Sequence, residues 1–166
     1  MRSDLARAEL RAGVSHDLVV LSPGPGRPSD FAMAETLDLA VQRHLPVFGV
    51  CLGLQGIVEY FGGSLAVLDP PMHGKPSSVR VCGGRLLCGL ASEFIVGRYH
   101  SLHAVRSTLP PELSVTAETE DGVVMAVEHQ HLPIDAVQFH PESVMTLREE
   151  IGMPIIASVM AALPPP

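Results

Sequence analysis

Leu45-Pro46-Val47-Phe48-Gly49-Val50-Cys51-Leu52-Gly53 is an apolar run ending in a thiol with a glycine two residues away on either side. Residues 45–48 read as a buried strand and residues 55–60 as the helix that follows, so Cys51 stands where strand turns into helix. A side chain at such a corner must occupy a tight, strained turn. Glycines at 49 and 53 remove the Cβ atoms that would clash there. This is the geometry of a nucleophile elbow, with sulfur in place of oxygen. A helix N-terminus also offers unpaired N–H groups and a positive dipole end, which predicts a Cys51 pKa lowered from about 8.5 toward ~7 or below. On Cys51 alone, a buried structural cysteine fits the pattern equally well.

Further along, residues 134–139 read as a strand, followed at once by His140-Pro141-Glu142-Ser143. In an extended segment residues i and i+2 project to one side, so the Glu142 carboxylate can reach the His140 imidazole. Pro141 fixes its own φ and biases His140 toward extended geometry. A histidine oriented by a carboxylate at the carboxyl end of a strand is the base that a cysteine nucleophile needs. A candidate triad results, with Cys51 attacking, His140 shuttling the proton and Glu142 orienting it. A third element is Leu18-Val19-Val20-Leu21-Ser22-Pro23-Gly24-Pro25-Gly26, an apolar strand that runs into a Gly/Pro loop. Prolines stiffen such a loop, and glycines let backbone N–H groups approach a ligand closely, as an oxyanion hole requires. An ordinary strand-to-helix turn has the same composition.

Ser22-Pro23-Gly24-Pro25-Gly26, Gly49-Val50-Cys51-Leu52-Gly53-Leu54-Gln55, Tyr99-His100-Ser101-Leu102 and Phe139-His140-Pro141-Glu142-Ser143 together resemble the signatures of class I (triad) glutamine amidotransferases, in the same order. Within that family the chain is most similar to amidotransferase domains of anthranilate synthase. Met72-His73-Gly74-Lys75 resembles a segment that lies near the partner synthase in chorismate-using members. Residues 56–63 and 139–147 resemble the form in which this domain is fused behind the synthase domain.

The resemblance implies an α/β fold, a flavodoxin-like mixed sheet with flanking helices, built as one amidotransferase domain over residues 1–166. It implies that Cys51 forms a γ-glutamyl thioester from glutamine and releases ammonia, with His140 and Glu142 completing the triad. Gly26 and Leu52 would give backbone N–H groups to the oxyanion. Gly24, Pro25, Gln55, Ser101 and Leu102 would line the glutamine site, Ser101 and Leu102 through backbone groups. His73, Gly74 and Lys75 would face a chorismate-binding synthase. No cofactor is implied for this chain, and magnesium is expected in the partner. The same site would serve anthranilate, aminodeoxychorismate or a phenazine precursor, because the acceptor chemistry belongs to the synthase. A rival of a different class is a remnant of such a domain that has lost its activity.

One departure from the family pattern stands out. Members begin with a strand, a helix and a second strand before the Ser-Pro-Gly-Pro-Gly loop, whereas residues 3–12 here read as one short helix with Leu5 and Leu10 as its apolar positions. The first β-α-β unit, roughly 30 residues or more, is therefore expected to be missing, leaving strand edges and apolar faces exposed. A fragment of a longer fused protein, an interrupted or misassigned gene, and a short variant whose strand comes from a partner all fit that gap.

Composition sets the outer limits. The 166 residues suit one domain, and the 46% apolar fraction indicates extensive burial. No apolar stretch reaches ~18 residues and the N-terminal residues mix charges, so neither a membrane span nor a secretory signal is expected and the chain reads as cytoplasmic. A net charge of −7 argues against general nucleic-acid binding. Cys82 and Cys88 make no even framework with Cys51 and read as buried or idle thiols. His100, His103, His129 and His131 lack a cysteine pair at metal spacing, and an exposed hairpin accounts for the last two. Ser29 or Asp30 is expected to cap a helix to about His44, with Ala34, Leu37 and Val41 on its inner face. From Ser64 onward short strands are expected at 65–68, 78–82, 94–96, 102–105, 113–118 and 123–128, with Glu120-Asp121-Gly122 as a hairpin turn. A helix at 155–163 closes the domain ahead of a Pro164-Pro165-Pro166 tail.

Overall fold

The computed structural model describes residues 2–148 and 150–163, so the triple-proline tail lies outside the described residues. The chain order is α1 (Ser3–Arg11), β1 (Val19–Leu21), a 3-10 turn at Pro28–Phe31, α2 (Met33–Gln42), β2 (Val47–Val50), α3 (Leu52–Tyr60), β3 (Leu65–Val67), β4 (Lys75–Val81), β5 (Glu93–Arg98), β6 (Leu102–Ala104), β7 (Leu113–Thr119), β8 (Val124–His129), β9 (Ile134–Val137), α4 (Val144–Arg148) and α5 (Gly152–Ala161). A seven-stranded sheet runs β1-β2-β9-β8-β7-β4-β5, and β3 pairs with β6 in a small second sheet. β1, β2 and β9 are parallel. The β9-β8, β8-β7, β7-β4 and β4-β5 pairs are antiparallel.

Burial explains this division. Every residue of β2 is buried, as a central parallel strand covered on both faces must be. Phe48 and Val50 enter one core with Phe139, Ile155 and Val159, while Val47 enters the other with Leu37, Leu54 and Ile57. Alternate residues of one strand thus feed opposite faces, with α5 over the first and α2 and α3 over the second. The β9 end is pinned by Arg85, whose guanidinium donates to the carbonyls of His129, Leu132 and Ile134 and pairs with Asp135.

Several expectations are corrected here. The inner face of α2 is Met33, Thr36, Leu37 and Ala40, with Val41 half-buried beside it as expected, whereas Ala34 is exposed. The cause is the 3-10 turn that precedes the helix: Asp30 caps its start by accepting from Arg27 N–H at 2.8 Å, and Ala32, with φ 49, ends it, so α2 starts only at Met33. α4 was not foreseen; it packs on β5, where Thr146 Oγ1 accepts from Gly97 N–H. Cys82 and Cys88 are exposed thiols. His129 is buried, and its Nδ1 accepts the backbone N–H groups of His131 and Leu132, so it shapes the β8–β9 connection from inside. α1 buries Leu10 but leaves Leu5 exposed. β1 forms one edge of the sheet, with Val20 54% exposed, and a cavity of ≈ 560 Å³ beside it is lined by Val20, Phe31, Met33 and Leu52.

The glycines of the opening stretch prove to be steric requirements. A Cβ on Gly53 would lie 2.3 Å from the Leu21 carbonyl oxygen, and one on Gly49 would lie 2.8 Å from the Gly53 backbone. Gly53→Ala is therefore expected to cost about 1–3 kcal/mol or more, read as a lowered urea midpoint with an unchanged slope. An unaltered midpoint would mean that α3 is not held against β1.

Candidate functional site

Three parallel strands end side by side, and each carries one part of the site. Leu21 pairs with Gly49, and Val50 pairs with Val137. The Ser22–Gly26 loop, Cys51 and His140 therefore all leave the sheet at its carboxyl edge, where open α/β sheets place their ligands. Gly24 sits close to the elbow, since a Cβ there would lie 3.1 Å from Leu52 Cδ2. Gly26 has φ +86 and room for no side chain against the Asp30 carboxylate.

Cys51 is the residue ahead of α3, with φ 54 and ψ −97, a conformation that side chains other than glycine rarely adopt. Such a residue stores on the order of 1–3 kcal/mol and persists only where its surroundings over-determine it. Here they do: Cys51 N–H donates to Val137 O at 2.8 Å, and its carbonyl accepts from Gln55 N–H at 3.2 Å. The sulfur is buried and accepts from Gln138 Nε2 at 3.5 Å.

The expected lowering of the Cys51 pKa is overturned. Burial pushes the thiol up to about 11; the N–H groups of Leu52 and Gln138 act against this without cancelling it, and the Glu142 charge adds to the rise. A helix N-terminus is worth less to a thiolate than the water it has lost. The sequence contains the helix but not the depth of the pocket.

His140 Nδ1 lies 3.0 Å from Glu142 Oε1, as the i, i+2 spacing requires. The imidazole is partly buried and the carboxylate exposed. The Tyr99 ring stands edge-on to His140 at 5.3 Å, and His73 stands edge-on to Tyr99 at 5.8 Å. The exposed His73-Gly74-Lys75 segment is thus joined to His140 through one aromatic side chain. Among the described residues no hydrogen bond joins His140 to Cys51.

The other expected site residues converge on the same edge. Gln55, 3% exposed, donates through Nε2 to Leu102 O at 3.1 Å and to Gln138 Oε1 at 3.3 Å. Ser101 O accepts from Leu68 N–H, and Leu102 O also accepts from His100 Nδ1, so both carbonyls are already engaged. Residues that the sequence reading passed over lie here as well. Gln138 fell inside an expected strand, and Arg98 lay just past one. Arg98 is 1% exposed, donates through Nε to His100 Nε2, and has no hydrogen-bond partner at Nη2 among the described residues.

A strained cysteine ahead of α3, a His-Glu pair just past β9 and a glycine loop after β1 thus stand at one edge of the sheet, the order of parts found in triad amidotransferases. The chain belongs to this family: the model for glutamine amidotransferase class-I matches residues 3–152. It is 59% identical over 163 residues, 98% of its length, to an anthranilate synthase of Azospirillum brasilense, of which it spans 22%. It is 41% identical to the aminodeoxychorismate/anthranilate synthase component 2 of Bacillus subtilis (strain 168), covering 80% of this chain and 69% of that one. A glutamine amidotransferase structure from Thermotoga maritima shares the fold, with TM-score 0.72 at 14% identity over 87% of this chain and 76% of that one.

Burial also governs His100, whose pKa falls to about 4, chiefly by desolvation and further by the charges of Arg98, His103 and His140 against the hydrogen bond to Leu102. Between pH 6.5 and 4 the unfolded chain takes up a proton that the fold excludes, so His100 removes stability as pH falls, up to about 3 kcal/mol. Asp135, raised to about 6 by burial against Arg85, acts in the opposite sense over an overlapping range. The His100 contribution is therefore read by difference. The stability gap between the protein and a His100→Gln variant should be constant above pH 7 and shrink by up to about 3 kcal/mol toward pH 4. Parallel profiles would mean that His100 titrates as in the unfolded chain.

Proposed function

We propose that this chain hydrolyses the side-chain amide of L-glutamine and delivers the ammonia to a chorismate-binding synthase, for making anthranilate. What carries this reading is the Cys51 elbow and the His140–Glu142 pair on adjacent parallel strands, in a chain 59% identical to a protein named anthranilate synthase.

In this reading the Cys51 sulfur attacks the amide carbon as its proton passes to His140. The new S–C bond pushes the carbonyl electrons onto oxygen, where the N–H groups of Leu52 and Gly26 receive them. Collapse breaks the C–N bond, and His140 returns the proton to nitrogen, which leaves as ammonia. Water then attacks the thioester, giving its proton to His140, and glutamate leaves as the thiol is restored. With a resting thiol at about 11, roughly one molecule in ten thousand holds a thiolate at pH 7. The resting sulfur is thus a thiol, and a base, His140, is needed to take its proton.

The Nε2 of Gln55 spends both hydrogens inside the protein, which leaves its Oε1 to accept from the ammonium of the substrate. Gly24, Pro25, Ser101 and Leu102 would complete that site. His73, Gly74 and Lys75 would meet the synthase, in the same chain or as a separate subunit. The chemistry assigned to this chain calls for no cofactor, magnesium being a need of the synthase. A cytoplasmic location goes with the family. Since the Bacillus subtilis relative carries both products in its name, aminodeoxychorismate is the alternative acceptor chemistry.

In complex with a synthase, Cys51→Ser should lower glutamine-dependent product formation by roughly a thousandfold or more and leave the ammonia-dependent rate near its starting value. Equal loss of both would make Cys51 structural. Covalent labelling of Cys51 by an electrophilic glutamine analogue, protected by glutamine, separates an assembled site from an inactive remnant.

A further inference from the structure

A buried line of polar groups leads from Arg98 to the sulfur. Arg98 Nε–H donates to His100 Nε2 at 3.2 Å, and a guanidinium cannot accept, so that ring nitrogen carries the lone pair. The proton of His100 is then on Nδ1, which donates to Leu102 O at 2.8 Å. Gln55 Nε2 donates to the same carbonyl and, with its second hydrogen, to Gln138 Oε1. The oxygen of Gln138 is thereby taken, and its Nε2 is left facing Cys51 Sγ at 3.5 Å. Arg98, His100, Gln55 and Gln138 are each at most 3% exposed. Two donor runs meet at the Leu102 carbonyl, one from Arg98 through His100 and one from Gln55, and from Gln55 a second donor run leads through Gln138 to the sulfur.

We propose that Gln138 is a positioning residue for Cys51: its amide N–H orients the sulfur and stabilises the thiolate, and Gln55, anchored on the Leu102 carbonyl, prevents the amide from flipping. A flipped amide would turn a carbonyl oxygen toward the sulfur and oppose the charge it must develop. Among the described residues Cys51 is the acceptor recorded for this N–H, and full burial removes water as a substitute. The inference rests on Cys51 being the nucleophile.

The test is the pH–rate profile of Cys51 alkylation by iodoacetamide in the full chain, with Cys82→Ser and Cys88→Ser removing the exposed thiols. Gln138→Glu keeps the shape and removes the donor. Gln138→Met keeps the volume without a charge and decides the matter if the first variant does not unfold cooperatively. Either variant should slow alkylation at pH 7.5 by about tenfold to a hundredfold and move the inflection to higher pH. An unchanged profile in a cooperatively folded variant overturns the proposal. Labelling by an electrophilic glutamine analogue is run in parallel. If the unaltered chain fails to label while its alkylation still depends on Gln138, the glutaminase reading fails and the positioning of the sulfur stands.

Discussion

The site depends on one close approach, the first turn of α3 against the Leu21 carbonyl, which is possible only because residue 53 has no Cβ. That contact settles how far the helix slides over β1 and β2. Gly49 meets the same helix from below, with Ile57 and Ala136 in its way had it carried a side chain. Between the two glycines the chain has no freedom left, and Cys51 takes up φ 54 because the strand before it and the helix after it are both already placed. The strain at the nucleophile is a result of this packing and is maintained by it.

The remaining groups arrive through strand order. A parallel β2–β9 pair brings residue 140 level with the elbow, so no long-range side-chain interaction is needed to assemble base and nucleophile. The antiparallel half of the sheet then supplies support. β5 carries Arg98 on one face, and the residue after its last pair is Tyr99, which lies against His140. One short segment thereby serves both ends of the chemistry, the sulfur through hydrogen bonds and the imidazole through an aromatic edge.

Chain order and composition made much of this legible. The elbow, the His140–Glu142 spacing and the glycine loop could be read because each is a local pattern with a steric or geometric reason. The start of α2 could not, since a 3-10 turn stands in the place of its first turn, and Ala34 at the new helix end faces outward while Leu37 and Val41 keep their inward places. Nor could α4, five residues long, be told from the end of a loop. The pKa of Cys51 differs from its expectation for another reason: dipoles follow from secondary structure, but desolvation depends on how deeply the folded core encloses the sulfur. Gln138 was invisible because a buried glutamine just past a strand gives no local sign of its partner, here 87 residues away in the chain. Exposed Cys82 and Cys88 and buried His129 show the same limit from either side.

The left-handed backbone at Cys51 means that the protein is least comfortable at the residue it most needs for its chemistry. Glycine alone would relax there, and it would bring no side chain to the reaction. A population of variants sorted only for resistance to heat would therefore drift toward glycine at this position, trading the reactive atom for a calmer fold. Folding and reactivity set opposite demands on residue 51, so the presence of cysteine there records a selection that stability by itself would have reversed.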